Sequence, residues 1–130
     1  MRIKHDGGMR FCAQTRGHEI VCDLPEANAG QDTGMTPPEW LLASLGSCVG
    51  VYMVNFCKVK DLPYEGMEVE IASEKGTDPV RISSIRCDIH MPQGFPENMR
   101  ESALKVAKQC MIHNTMHLTP DIVIDYAQSK

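Results

Sequence analysis

Two cysteines lie on the apolar stripes of two predicted helices, where they are candidates for redox chemistry. Cys48 stands in the sequence Gly-Ser-Cys-Val-Gly, and Cys110 follows Lys-Gln. A thiolate is a nucleophile, and two neighbouring thiols can form a reversible disulfide. If both stripes face the same sheet or each other, the two sulfur atoms could meet. On spacing alone, two ordinary core cysteines remain the competing interpretation.

Two other functions use features of the same sequence. Cys110, His113 and His117 are ligand types at the spacing Cys-x-x-His-x-x-x-His, which suits a metal ion. The competing interpretation is that both histidines are solvated residues beyond the end of a helix. A non-catalytic module that binds an apolar ligand is also consistent with nine methionines, although methionine fills ordinary cores as well.

The other four cysteines have packing explanations or no distinguishing feature. Cys22 and Cys87 share strand faces with aliphatic residues, and Cys57 lies near the end of the long helix. Cys12 falls on the polar side of its strand. Six cysteines in a secreted chain of under 100 residues would suggest a disulfide framework. This chain has 130 residues and a start without an apolar stretch, so we expect a cytoplasmic protein with reduced thiols.

Length and charge narrow the class of protein. With 130 residues we expect one domain over residues 1–130. The net charge of −4 argues against nucleic-acid partners and anionic membranes, since both require a basic surface.

Hydrophobic periodicity predicts an α+β domain. The predicted order is a meander of short strands, a long loop, a long helix, a hairpin, a second helix and a last strand. The ranges are 2–6, 9–14 and 18–24 for the meander, 25–38 for the loop, 36–59 for the helix, 66–74 and 80–91 for the hairpin, 96–110 for the second helix and 121–126 for the last strand.

The long helix has an unusual composition. Residues 40–57 carry no charge over eighteen positions, which is near the lower limit for a membrane span. Ser44, Ser47 and Asn55 interrupt the apolar run, and a second span is missing. We therefore expect a helix buried on all sides. A single 130-residue chain has little else to cover it, so a second subunit is expected to bury its far face, giving a homodimer.

Two segments resemble the signatures of the OsmC/Ohr family, which comprises the osmotically inducible protein C and organic hydroperoxide resistance proteins. Residues 36–48 are similar to its Pro-x-Glu-Leu-Leu-x-Ala-x-Gly-x-Cys signature, and residues 107–115 resemble its second cysteine signature. The resemblance extends over roughly residues 9–126 and is closer to the OsmC-like branch that includes the YhfA-like proteins.

The resemblance implies a fold and an activity. The fold would be an antiparallel sheet wrapped around a long central helix plus a second helix, in an intertwined homodimer with active sites at the interface. The activity would be thiol-dependent reduction of organic hydroperoxides, with Cys48 as the peroxidatic thiol and Cys110 as the resolving thiol. An external dithiol would reduce the resulting disulfide, and neither a metal nor an organic cofactor is required.

The resemblance also implies two groups that activate Cys48. Peroxidases of the family have an arginine from the early strands and a glutamate ten residues before the first cysteine. Pro38 holds that position here and Glu39 is the nearest carboxylate, while Arg16 is the first candidate arginine and Arg10 the second. Cys110 is expected at the end of a helix, where the dipole disfavours an anion, and so to be the poorer thiolate.

Overall fold

The computed structural model of the protein describes residues 1–127, which divide into two compact units. The first unit comprises residues 1–47 and 69–89, and the second comprises residues 48–68 and the chain from His90 on. The α+β class with antiparallel sheets is confirmed, because the described residues form a three-stranded sheet, a two-stranded sheet and helices.

The first unit begins with the predicted meander. Strands β1 (Arg2–His5), β2 (Phe11–Thr15) and β3 (His18–Cys22) pair antiparallel in the order β1-β2-β3. Arg16 and Gly17 join β2 to β3 with φ values of 52° and 81°. Two successive positive φ values are typical of the tight hairpin turn that matches the twist of the strands. The predicted turn is therefore confirmed.

The second sheet is a hairpin of β4 (Glu68–Thr77) and β5 (Val80–His90). The predicted turn over residues 75–79 is shorter in the structure, since only Asp78 and Pro79 separate the strands. Side chains of the second strand add to the pairing, because Ser83 Oγ donates to the Glu74 carbonyl at 3.2 Å and Ser84 Oγ to its carboxylate at 2.9 Å.

A buried carboxylate fixes the loop between β3 and the long helix. Asp23 is 2% exposed and accepts hydrogen bonds from the backbone N–H groups of Leu24, Gln31 and Thr33 and from the Thr33 hydroxyl. The bond from the Thr33 hydroxyl, with the backbone bonds, lowers the pKa of Asp23 from 3.8 to about 2, although burial acts in the opposite direction. The ionised Asp23 side chain therefore holds the backbone of the loop that precedes the long helix.

Helix α1 spans Pro37–Lys60, close to its predicted bounds. Its start is a capping box in which the Glu39 carboxylate accepts from the Thr36 N–H at 2.7 Å and from the Thr36 hydroxyl at 2.9 Å. Proline is favoured in the first turn because its missing N–H would have no intrahelical partner. Lys58 and Lys60 in the last turn complement the helix dipole.

The single chain buries only one face of α1, so burial on all sides stays a prediction that depends on a second subunit. One face is packed, while Val51 is 58% exposed and Val59 is 83% exposed. The helix has the length and composition of a membrane span, with a mean hydropathy of 1.5 over eighteen residues, of which 28% are buried. A single such helix is weak evidence for a span. The buried residues of α1 are Leu45, Gly46, Val49, Met53, Phe56 and Cys57.

Both sheets contact the first half of α1 within the first unit. The Trp40 indole N–H donates to the Val21 carbonyl of β3 at 3.3 Å. On the other side, a Cβ added at Gly46 would lie 2.7 Å from Ile71 Cδ1 of β4, so a larger residue there would require the Ile71 side chain to shift.

The end of the chain departs from prediction in two places. The second helix was predicted over residues 96–110, but α2 spans Arg100–Ala107 and a separate α3 spans Met111–His117. The strand predicted over residues 121–126 is wrong for the single chain, because these residues lie outside the sheets. A strand requires a neighbouring strand for its backbone hydrogen bonds, and this segment has none among residues 1–127.

Candidate active site

The thiols of Cys48 and Cys110 are neighbours in the second unit, close enough for the Cys48 thiol to raise the pKa of Cys110. Both are reduced. Cys48 is carried by the middle of α1, and Cys110 lies between α2 and α3. The structure therefore brings together the two cysteines that the sequence singled out, although spacing alone left their proximity open.

Cys110 occupies the start of a helix, which corrects the expectation that it ends one. It is the N-cap of α3, with φ −60° and ψ 142°, and its Sγ accepts a hydrogen bond from the His113 N–H at 3.2 Å. The chain leaves α2 at Ala107, so the new helix has free N–H groups beside the sulfur. The local dipole thus favours an anion at Cys110, the reverse of the predicted effect.

Burial nevertheless disfavours the thiolate form of Cys110. The side chain is fully buried, and loss of solvation is the largest cause of a raised pKa of Cys110. The hydrogen bond from the His113 N–H opposes this shift, the neighbouring Cys48 thiol adds to it, and the Ile112 N–H lowers the pKa slightly. The predicted direction is supported, but its cause is desolvation rather than the helix dipole.

The two thiols differ in access. Cys48 is half-buried, whereas Cys110 has no exposed surface. A reagent from solution can therefore meet the Cys48 sulfur before it meets that of Cys110. Such an asymmetry suits a pair in which one thiol reacts with an outside molecule and the second reacts with the first.

Arg16 lies in the β2–β3 turn of the first unit. Its side chain is exposed and lines an open cavity of about 430 Å³ together with Arg2 and His18. Arg10, the second candidate, is used locally instead. It pairs with Asp6 at 2.9 Å, and its guanidinium donates to the Thr33 hydroxyl at 3.4 Å. Among residues 1–127, the Arg16 side chain forms no hydrogen bond or ion pair, and its role toward Cys48 stays a prediction.

Glu39 has a structural task at the start of α1. The bonds from the Thr36 N–H and hydroxyl lower the pKa of Glu39, so the carboxylate is ionised as a cap. Nine positions along a helix correspond to a rotation of about 180° and a rise of about 14 Å. Glu39 therefore points away from the Cys48 side chain of its own helix, and its predicted catalytic role stays a prediction.

The metal hypothesis gains no support. Within residues 1–127, no three or more His, Cys, Asp or Glu side chains are grouped closely enough to hold a metal ion. His113 and His117 instead contact each other, with ring centroids 4.4 Å apart. The spacing Cys-x-x-His-x-x-x-His therefore reflects a contact between the two histidine rings, which the metal hypothesis did not predict.

The remaining cysteines are structural or unmarked. Cys57 is fully buried, and burial raises the pKa of its thiol. Burial is the larger cause of a raised pKa of the Cys87 thiol, and the negative charge of Asp88 is the smaller one. Cys12 and Cys22 are half-buried. The packing prediction for Cys57 is confirmed, whereas Cys22 and Cys87 are less buried than expected.

Sequence reasoning missed the hydrogen bond between His113 and Cys110. The spacing Cys-x-x-His has the same separation as a capping box, in which the first side chain bonds to the N–H three residues later. Reading Cys110 as a cap would have started a helix at Met111 rather than extending the previous one.

The fold is that of an α+β protein, and its second unit holds two neighbouring cysteine thiols. The family of OsmC-like proteins matches residues 30–125, and the chain belongs to that family. No curated protein matches it.

Several solved structures share the fold. The chain is similar to a candidate osmotic stress induced and detoxification response protein from Psychrobacter arcticus 273-4, with a TM-score of 0.81, 22% identity, and coverage of 88% of this chain and 85% of that one. The chain is also similar to an OsmC like protein from Mycoplasma pneumoniae, with a TM-score of 0.68, 22% identity, and coverage of 85% of this chain and 80% of that one. A third similar structure is an organic hydroperoxide resistance protein OsmC from Legionella pneumophila, which is described as a predicted redox protein. The TM-score is 0.68 and the identity 16%, with coverage of 88% of this chain and 87% of that one.

Proposed function

We propose that this protein is a thiol peroxidase that reduces organic hydroperoxides. The observation that carries the proposal is the contact between the Cys48 and Cys110 thiols with their unequal access to solvent. Membership of the OsmC-like family and similarity to a predicted redox protein support a redox function. The choice of organic hydroperoxides rests on the resemblance to the hydroperoxide resistance proteins.

The proposed reaction has two steps on the enzyme. The Cys48 thiolate attacks the terminal oxygen of the hydroperoxide, the O–O bond breaks, and the OH group passes to sulfur as a sulfenic acid. The alkoxide takes up the proton that the Cys48 thiol released and leaves as the alcohol. Cys110 then attacks the Cys48 sulfur, the S–OH bond breaks, and water leaves as the disulfide forms. An external dithiol reduces that disulfide by exchange and leaves as its own disulfide.

We propose Arg16 as the cation that stabilises the Cys48 thiolate, with Glu39 as the carboxylate that orients it. A thiolate in the middle of a helix receives little help from the helix dipole, so a nearby cation is required. Exposure of Arg16 in a tight turn leaves its guanidinium available for such a contact. Since Glu39 points away from Cys48 on its own helix, it would serve the site of a second subunit.

A homodimer with active sites at the interface is part of the same proposal. The single chain exposes apolar side chains that water disfavours, including Val51 and Val59 on α1. Residues 121–127 also expose apolar side chains. The exposed fractions of Ile122, Ile124 and Tyr126 are 77%, 94% and 100%. Reduced thiols suit a cytoplasmic location, which we propose as well.

Mass spectrometry of the protein after one equivalent of cumene hydroperoxide tests the function. We expect a Cys48–Cys110 disulfide in the wild type and none in Cys48→Ser. Cys57→Ser is the matched control, since this buried cysteine takes no part in the proposed chemistry, and the disulfide should form there as in the wild type. If both thiols of the folded wild type stay reduced, the peroxidase function is wrong.

A further inference from the structure

We infer that the external dithiol attacks the Cys48 sulfur of the oxidised pair, and that Cys110 leaves as a thiolate bonded to the backbone N–H of His113. This inference rests on the proposed function, since it concerns the step that regenerates the two thiols. It names the sulfur atom that the reductant meets, and it adds a backbone group of α3 to the catalytic site.

Access differs between the two sulfur atoms that a reductant has to choose from. In thiol–disulfide exchange a thiolate bonds directly to the sulfur that it attacks, so the rate depends on access to that atom. Cys48 is half-buried, whereas Cys110 has no exposed surface. We therefore expect an outside thiol to form its mixed disulfide with Cys48.

The surroundings of the two cysteines differ in the same way. Ser44 stands one turn before Cys48 on the same face of α1 and is exposed. Ala103 and Ala107 precede Cys110 on α2 and are 2% and 4% exposed. A reductant can thus contact α1 beside Cys48, while the residues of α2 that lead to Cys110 are covered.

A hydrogen bond prepares Cys110 to leave when the disulfide is attacked. The His113 N–H donates to the Cys110 Sγ at 3.2 Å. An N–H in the first turn of a helix has no acceptor within that helix, so this donor remains available to the sulfur. Hydrogen bonds to a charged acceptor are roughly twice as strong as neutral ones. The bond therefore stabilises the Cys110 thiolate more than it stabilises the same sulfur in a disulfide.

Burial of Cys110 opposes its departure as an anion and makes this bond important. Loss of solvation is the largest cause of the raised pKa of Cys110, and the His113 N–H is the largest influence in the opposite direction. A leaving thiol with a higher pKa departs more slowly. The His113 N–H therefore offsets part of the cost of forming a buried anion at the moment when the S–S bond breaks.

Atoms and electrons balance over the two exchanges. One thiolate of the dithiol bonds to the Cys48 sulfur, the S–S bond breaks, and its electron pair passes to Cys110 as the thiolate. The second thiolate of the reductant then attacks the reductant's own sulfur in the mixed disulfide and releases Cys48. The reductant leaves oxidised as its disulfide, and the two protons that its thiols gave up end on Cys48 and Cys110.

Mapping the mixed disulfide tests which sulfur is attacked. The protein is oxidised with diamide, a thiol oxidant that closes Cys48 and Cys110 to a disulfide as it is itself reduced to the hydrazine. It is then treated with 2-mercaptoethanol, a monothiol whose adduct carries no second thiol to release it, and is quenched early with acid. Peptic digestion and mass spectrometry at low pH should place the adduct on Cys48 and leave Cys110 as a free thiol. An adduct on Cys110 overturns the inference.

Two variants at one position test the leaving group. His113→Pro removes both the ring and the N–H, whereas His113→Ala removes the ring and keeps the N–H. Proline is tolerated in the first turn of a helix, because an N–H there has no helical partner. With excess dithiothreitol we expect reduction of the diamide-oxidised protein to slow by about tenfold or more in His113→Pro, since a hydrogen bond to a charged group is lost, and to keep the wild-type rate in His113→Ala. Equal rates in all three proteins, or equal slowing in both variants, overturn the role of the N–H.

The direction of the change separates loss of the donor from damage to α3. Unfolding of α3 exposes Cys110, so it should speed reduction and move the adduct to Cys110. Loss of the donor slows reduction and leaves the adduct on Cys48. Faster reduction of His113→Pro than of the wild type therefore overturns the role of the N–H.

Oxidation by diamide keeps the test separate from the peroxidase activity. If hydroperoxide yields no disulfide while diamide does, the proposed function fails, and the mapping still decides between Cys48 and Cys110. If diamide yields no Cys48–Cys110 disulfide either, the inference is overturned as well, because the two sulfur atoms then do not form the bond that the reductant attacks.

Discussion

The backbone N–H of His113 donates a hydrogen bond to the Cys110 sulfur at 3.2 Å, which makes the cysteine the N-cap of α3. Cys110 therefore receives stabilisation from a helix start while burial raises its pKa. The balance keeps the thiol protonated until a base accepts its proton. That property suits a resolving thiol, which has to react only after Cys48 has been oxidised.

Replacing Cys110 by Ser separates oxidation from resolution. The variant keeps the Cys48 thiol, so we expect one turnover with hydroperoxide to yield sulfenic acid and, with excess oxidant, sulfinic acid at Cys48. Mass spectrometry with dimedone trapping measures both products. Dithiol-supported turnover should fall by about tenfold or more, because no disulfide is presented to the reductant. Undiminished turnover would show that Cys110 is not the resolving thiol that attacks oxidised Cys48.

Removing the guanidinium of Arg16 should slow oxidation of Cys48. We expect Arg16→Gln to lower the second-order rate with cumene hydroperoxide by about 100-fold, the usual effect of losing one stabilising electrostatic group. Arg2→Gln is the matched control, since Arg2 lines the same cavity and is exposed. Equal losses in the two variants would argue for a general effect of positive charge rather than a role of Arg16.

Substitutions at Thr36 and Glu39 distinguish a role in helix capping from a role in catalysis. Thr36→Ala removes the N-cap hydroxyl and should lower the free energy of unfolding by about 0.5–2 kcal/mol, with the peroxidase rate retained. Glu39→Gln should lower the peroxidase rate by about tenfold if the carboxylate orients Arg16. Urea unfolding and stopped-flow oxidation give the two quantities. A rate unchanged in Glu39→Gln would leave the carboxylate with its capping role only.

The buried Asp23 carboxylate predicts an acid-sensitive loop. Because its pKa is lowered from 3.8 to about 2, ionised Asp23 stabilises the fold fully above pH 4, and this contribution is lost as the pH falls through about 2. Asp23→Asn should unfold at a lower temperature at pH 7 and lose this part of the pH dependence. Thermal melts between pH 2 and pH 7 measure both effects.

A surface aspartate gives the control for the acid effect. Asp61→Asn changes an exposed carboxylate just beyond the end of α1, and we expect a melting temperature close to that of the wild type. The same loss of stability in both variants would contradict a specific role of the buried carboxylate.

The exposed end of the chain tests the dimer. Ile124 is 94% exposed in the single chain, and we expect Ile124→Asp to shift the protein from dimer to monomer in size-exclusion chromatography with light scattering, because a charge would be buried at the interface. Val80→Asp changes an exposed valine, 70% accessible, in the β4–β5 hairpin and should leave the dimer intact. A monomeric wild type would rule out the proposed assembly.

Local rules in the sequence determined several elements of this protein. The Thr36 and Glu39 capping box with Pro37 sets the start of α1, and Arg16-Gly17 sets the β2–β3 turn, because caps and tight turns depend on a few adjacent residues. The resemblance to known signatures likewise identified Cys48 and Cys110, because it required only the types and order of residues.

Only the tertiary structure decided what surrounds those thiols. Cys48 and Cys110 meet because separate segments of the second unit pack together, and no spacing in the sequence encodes a contact between distant segments. The same packing ends α2 at Ala107 and makes Cys110 a cap, whereas periodicity favoured one continuous helix. Burial then outweighs the helix dipole in setting the acidity of Cys110, since desolvation depends on all the neighbours of the sulfur rather than on its place along one helix.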